Sequence, residues 1–168
     1  MVLVTDASDK GWSIVVTQVE KWDSSKDVGG QSHRLLTCLS ETFNGAKVNW
    51  SIIEKEAFSL VTSCERLSYL LMRPHAFRMF CDHRNLIHVF AAAESVKKYI
   101  RGKLLRWALK LSEFRYTINH IAGAANVWAA MLSRWACQPR KIAVRRITTR
   151  RSQQQRRTLC PPDEEHFV

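Results

Sequence analysis

The stretch Met1-Val-Leu-Val-Thr-Asp6-Ala-Ser-Asp-Lys-Gly11 runs from a short apolar segment through an acid into a turn. Val2 to Val4 reads as a strand buried on both faces, with Asp6 at its end. A carboxylate there lies in poor dielectric, where its charge requires a cation or several hydrogen-bond donors. Taken alone, the stretch favours an Asp6 that caps a tight turn, the ordinary role of an acid near glycine. The acids further along change that reading.

Gly11 to Trp22 alternates, with Trp12, Ile14 and Val16 on one side and Ser13 and Thr17 near the other. This predicts a strand hairpinned onto the first through Asp9-Lys10-Gly11. Residues 23–32 form a polar loop, and Leu35 to Phe43 completes a three-stranded meander closed by Asn44-Gly45. A long helix follows. Ser51 is its N-cap, Glu54 stands at the capping-box position, and Ile53, Ala57, Leu60, Cys64, Leu67 and Leu71 make one apolar stripe of about five turns. On a helical wheel Glu56 lies about 60° from that stripe and Glu54 about 100°. Glu56 is therefore the acid at the edge of the core, while Glu54 has a sufficient role as a cap.

Pro74 ends the helix, and Phe77 to Asp82 is a second apolar strand closing on an acid. Strand, long helix, strand suits a crossover to a parallel neighbour. Asp6 and Asp82 then emerge side by side at the carboxyl ends of adjacent parallel strands, where α/β proteins place their sites. The alternative, two unrelated strand-end acids, leaves unexplained why both follow apolar runs.

Arg84 to Ala92 is a short helix or turn. A second long helix, Val96 to Leu111, carries Ile100, Leu104, Trp107, Ala108 and Leu111 on one face and Lys103, Arg106 and Lys110 on the other. The sole acid close to that basic stripe in sequence is Glu113, so the stripe is either a solvated face or a phosphate-contacting surface. Phe114 to Ile121 is the last strand, Gly123 a turn, and Asn126 the N-cap of a final helix running through Val127, Met131 and Trp135. Residues 138–168 are rich in arginine, with a glutamine run and Pro161-Pro162, and read as a disordered basic tail or interdomain linker.

The totals agree with one domain, residues 1–137, carrying a substantial core. A net charge of +11 points to a polyanionic partner such as nucleic acid. No apolar run reaches the roughly 18 residues of a membrane helix. Asp6 and Asp9 interrupt any signal peptide, giving the expectation of an intracellular protein. The five cysteines are scattered without a Cys-x-x-Cys pair, which argues for buried thiols and a reducing compartment. His83 and His88 lack the paired cysteines of a zinc site.

Thr5-Asp6-Ala7-Ser8-Asp9, Glu54-Lys55-Glu56-Ala57, Cys81-Asp82-His83-Arg84-Asn85-Leu86, Leu105-Arg106-Trp107-Ala108, Ile118-Asn119-His120-Ile121-Ala122-Gly123 and Asn126-Val127-Trp128-Ala129-Ala130-Met131-Leu132-Ser133-Arg134 occur in that order. Together they closely resemble the ribonuclease H domain of gypsy-type LTR retrotransposon polyproteins, most of all those of oomycete elements. The tail resembles, less specifically, the linker towards the integrase. The resemblance implies an RNase H-like α/β fold, a five-stranded mixed sheet with helices on both faces. It also implies hydrolysis of the RNA strand of an RNA:DNA hybrid with two Mg²⁺ (or Mn²⁺) ions, which activate water and stabilise the leaving oxygen. By motif match Asp6 would bridge both ions, with Glu56 and Asp82 completing the two sides.

One departure stands out. The family places an aspartate in the first turn of the final helix, where this chain has Ala130, and no Asp or Glu occurs from Arg115 to Pro162 to replace it. The expectation is an impaired nuclease; the alternative is an inactive hybrid-binding module or an inert fragment of a degenerate element. The polymerase domain that precedes this module in the family is expected to lie outside the chain. An integrase or transposase of the wider superfamily would instead place its glutamate after the second aspartate, on a late helix, whereas Glu56 precedes Asp82.

Overall fold

A computed structural model describes residues 1–91 and 102–135, all within the first of two units, Met1–Gln138 and Pro139–Val168. The expectations for Val96 to Ile100 and for the basic tail fall outside the described residues. Five strands, β1 (Val2–Ala7), β2 (Gly11–Val19), β3 (His33–Thr42), β4 (Phe77–Cys81) and β5 (Tyr116–His120), form one sheet in the order β3-β2-β1-β4-β5. The meander is antiparallel, and β4 joins β1 in parallel with Val4 opposite Phe80. β5 then pairs in parallel with β4. The mixed five-stranded sheet is the one the sequence resemblance implies.

Alternation along the central strands divides the sheet into two unequal faces. Leu3, Trp12, Ile14, Val16, Phe77 and Met79 point into the larger core, covered by α1 (Ile52–Arg66), α2 (Ser68–Leu71), α3 (Arg84–Phe90) and α4 (Gly102–Leu111). Val2, Phe80 and Ile121 form a smaller cluster on the opposite face, where α5 (Val127–Trp135) lies across β1 and β2. Because both faces are covered, β2 is buried from Gly11 to Thr17 and does not show the one-sided exposure that its alternation suggests. It also ends at Val19, three residues short of the expected Trp22. The chain then turns into a loop held by the buried Gln31, whose amide donates to the carbonyls of Asp23 and Lys26 and accepts from the Asp23 N–H.

The Asn44-Gly45 turn works because Gly45 takes φ +59°, a conformation that costs a side chain dearly. Beyond it, Glu54 reaches back from the first turn of α1 to accept hydrogen bonds from the N–H and hydroxyl of Ser51, each at 3.0 Å. Lys55, almost fully buried, fastens the same end of α1 to the hairpin turn, donating to the carbonyl of Asp9 at 2.6 Å and to its carboxylate at 3.0 Å. The expected five-turn helix is interrupted at Leu67 (φ −111°, ψ 23°), so α1 stops at Arg66 and α2 completes the run. The apolar stripe survives the break, since Ala57, Leu60, Cys64, Leu67 and Leu71 are all buried.

The final helix forms where expected, over Val127–Trp135, and its buried face is small and polar. Val127, Met131 and Trp135 are 59%, 39% and 60% exposed, whereas Asn126, Ala129 and Ser133 face the sheet. Asn126 does not use its side chain as a cap; its amide donates to the Thr5 carbonyl at 3.0 Å. Ser13 donates to the Ala129 carbonyl at 2.6 Å. Small and polar residues at this face let the helix lie close enough to bond the sheet directly, which Val, Met and Trp side chains would prevent.

Replacing Leu60, which is fully buried in the larger core, by alanine is expected to cost about 2–5 kcal/mol. Ile52→Ala at an exposed position should fall within about 0.5 kcal/mol of the unsubstituted chain. Urea unfolding curves of the two variants check this; equal midpoints would contradict the assignment of the core.

Candidate functional site

Three elements deliver one carboxylate each to the rim where β1 and β4 end. Asp6 is the penultimate residue of β1, Glu56 lies in the second turn of α1, and Asp82 immediately follows β4. One ligand atom from each lies within 4.8 Å of the others. Asp6 and Glu56 are buried, 7% and 4% exposed, while Asp82 is half-buried at the opening. The wheel reading is thus reproduced in space: Glu56 points to the rim, and Glu54 remains at the helix start.

Each buried carboxylate is held by one oxygen. Glu56 Oε1 accepts the Ala7 N–H at 3.0 Å, while its Oε2 is buried without a hydrogen-bond partner. Asp6 Oδ2 accepts the Ser133 hydroxyl at 2.5 Å. Burial, and then the charges of Asp82 and Asp6, push the Glu56 carboxyl up to about 9. Burial also raises Asp6, assisted by Asp82 and opposed by the Ser133 hydrogen bond and by Arg134. Like charges gathered this closely, with a buried oxygen left unbonded, match the donor set of a hard divalent cation, which takes oxygen ligands. Asp6, Glu56 and Asp82 are the residues that could hold it.

The surroundings restrict the site further. His120 Nε2 donates to the Asp82 carbonyl at 3.1 Å, tying the end of β5 to the site. Gly123 lies against the same residue: a Cβ there would stand 3.7 Å from Asp82 Oδ2. Ala130 occupies the first turn of α5 and brings only a methyl group. Ser133, which sequence reasoning passed over, makes the direct contact with Asp6. Only a serine three residues beyond Ala130 marked it in the sequence, and nothing there indicated which face of the helix was buried.

The basic stripe is corrected in one respect. Glu113 is not its only neighbouring acid, because α1 packs beside α4 and brings two more. Lys103 pairs with Glu54 at 2.8 Å and lies over the Trp50 ring, 3.8 Å from its centroid. Lys110 pairs with Glu65. Arg106 is exposed on the same helix.

Comparison with known proteins places the chain in a family and shows the same fold in solved structures. Residues 1–114 match the family described as the RNase H-like domain found in reverse transcriptase. The Tf2-3 transposon polyprotein of Schizosaccharomyces pombe is 32% identical over 136 residues, covering 80% of this chain and 9% of the polyprotein. The chain thus spans less than a tenth of the length of that relative. Among solved structures, LC11-RNase H1 in complex with an RNA/DNA hybrid superposes with a TM-score of 0.57 at 15% identity, covering 80% of this chain and 94% of that one. The PFV RNase H domain gives 0.56 at 15% identity, covering 80% and 92%. These two share the fold.

The raised carboxyls set a pH dependence. A folded-state value above the unfolded one means that the native state binds the extra proton, so stability falls as pH rises from about 4.5 towards 9. In EDTA the chain should unfold at lower urea at pH 8.5 than at pH 5.5, and Glu56→Gln should flatten that difference. An unchanged pH slope in the variant would show that Glu56 is not the group responsible.

Proposed function

Because the chain belongs to the family of RNase H-like domains found in reverse transcriptase, we propose that it is the module that hydrolyses the RNA strand of an RNA:DNA hybrid, attenuated by Ala130. The observation that carries this reading is the convergence of Asp6, Glu56 and Asp82 at the carboxyl ends of two adjacent parallel strands. The family's nucleases, the transposon polyprotein relative and the hybrid-bound structural neighbour support it.

In this reading the three carboxylates hold Mg²⁺ or Mn²⁺, and bound cations supply charge stabilisation to the phosphodiester and lower the pKa of water. The chain's own contribution is placement. The Ala7 N–H holds one oxygen of Glu56 and leaves Oε2 for a ligand. Asp82 lies half-buried at the opening, where it would complete the ligand set, and Gly123 adds no side chain beside its carboxylate. Glu56, raised by burial and its neighbouring acids, would have to give up its proton to serve as a ligand, and a nearby cation would favour that ionised form.

Ala130 supports a second reading, a module that binds the hybrid without turnover. Phosphate contacts depend on basic residues and shape, so they survive the loss of a ligand. Arg106 and the wider positive charge serve here, with Lys103 and Lys110 contributing only as they exchange α1 carboxylates for phosphates. A polymerase domain of the same polyprotein would supply further affinity.

Cleavage of a labelled RNA:DNA hybrid in Mn²⁺ separates the readings. Slow cleavage is expected, abolished by Glu56→Gln and raised by Ala130→Asp by more than the roughly 10–100-fold associated with groups that merely support a ligand. Hybrid binding with no turnover, before or after Ala130→Asp, would favour the second reading.

A further inference from the structure

Ser133 is fully buried and stands where α5 crosses the Asp6–Ser13 cross-strand pair. Its hydroxyl has one proton, and both Asp6 Oδ2 at 2.5 Å and the Ala130 carbonyl at 3.1 Å lie within its reach. The shorter distance belongs to the charge-assisted class of hydrogen bond, about twice as strong as a neutral one, so the proton goes to the carboxylate. The Ser133 carbonyl lies 3.2 Å from the Ser8 hydroxyl, which also has the Gly11 carbonyl at 3.1 Å and accepts from the Gly11 N–H across the hairpin turn.

We propose that Ser133 is a positioning residue: by donating to one oxygen of Asp6 it sets the rotation of that carboxylate and keeps its ligand atom with those of Glu56 and Asp82. The proposal rests on the reading of Asp6 as a cation ligand. A carboxylate at the end of a two-torsion side chain can turn its plane, and terminal sp³–sp² torsions are broad. Asp6 stands opposite Ser13 in the antiparallel pair, but Ser13 spends its hydroxyl on the Ala129 carbonyl. Of the hydroxyls under α5, Ser133 thus holds the carboxylate and Ser13 holds the helix. With Ala130 lacking a carboxylate, the helix acts on the site through Ser133.

Titrating Mn²⁺ into the full chain and following free Mn²⁺ by electron paramagnetic resonance tests this without turnover. Ser133→Ala should weaken Mn²⁺ binding by about tenfold or more, the scale seen when a ligand loses its supporting hydrogen bond. Ser133→Cys, which keeps the volume but donates weakly, should weaken it in the same direction and decides the matter if the alanine variant does not fold. Ser13→Ala removes a different α5 bond, one to the Ala129 carbonyl that touches no carboxylate, and should lower the melting temperature while leaving Mn²⁺ affinity unchanged. Wild-type affinity in both Ser133 variants, or equal loss in Ser13→Ala, would overturn the positioning role and leave the nuclease reading intact. Failure of the unsubstituted chain to bind Mn²⁺ would instead remove the nuclease reading, and this inference with it.

Discussion

Three carboxylates share one corner of the molecule, and the cost of burying two of them, increased by each other's charge, is the constraint that the rest of the structure accommodates. Burial and the charges of Asp82 and Asp6 push the Glu56 carboxyl up to about 9, which favours its neutral form and eases the cluster. The fold also spends specific donors on it, the Ala7 N–H on Glu56 and the Ser133 hydroxyl on Asp6. A purely structural corner would be more stable with apolar residues, since burying charges is expensive even when they are paired. Such a cluster of buried acids is the environment in which functional groups are commonly set, and on that ground this rim is the candidate site.

The two faces of the sheet play different parts around that corner. The larger core, built on Leu3, Ile14, Leu60 and Met79, fixes α1 and so carries Glu56 to the rim. Lys55 adds a rigid link from α1 to the β1–β2 turn, which keeps Glu56 and Asp6 in register with each other. On the other face α5 approaches through Asn126, Ala129 and Ser133, and its bonds to Thr5, Ser13 and Asp6 all reach β1 or β2. Supporting a site from both faces holds its groups more tightly than either core could alone.

Much of this was legible in the residues. Apolar runs ending in acids at Asp6 and Asp82, joined by a long amphipathic helix, are short-range patterns whose parallel pairing follows from connection length and handedness. Glu56 was separable from Glu54 by helical angle alone. Other features were illegible because they depend on neighbours distant in sequence. Nothing in the residues of the final helix marked its buried face: the contact leaves Val127, Met131 and Trp135 outside and takes Asn126, Ala129 and Ser133, whose smallness matters more than their hydropathy. Likewise Lys103 and Lys110 looked unpaired because Glu54 and Glu65 lie 49 and 45 residues away along the chain.

The residues by themselves determined the strand and helix order, the pairing of β1 with β4 and the identity of the three acids, because periodicity and chain connectivity are local or nearly so. They also determined the absence of a carboxylate at Ala130, which no folding can supply. Only the tertiary structure decided which side of α5 is buried, which cations meet carboxylates, and that a serine hydroxyl holds Asp6. Those outcomes depend on how closely two elements can approach, and that distance is set by all the side chains between them.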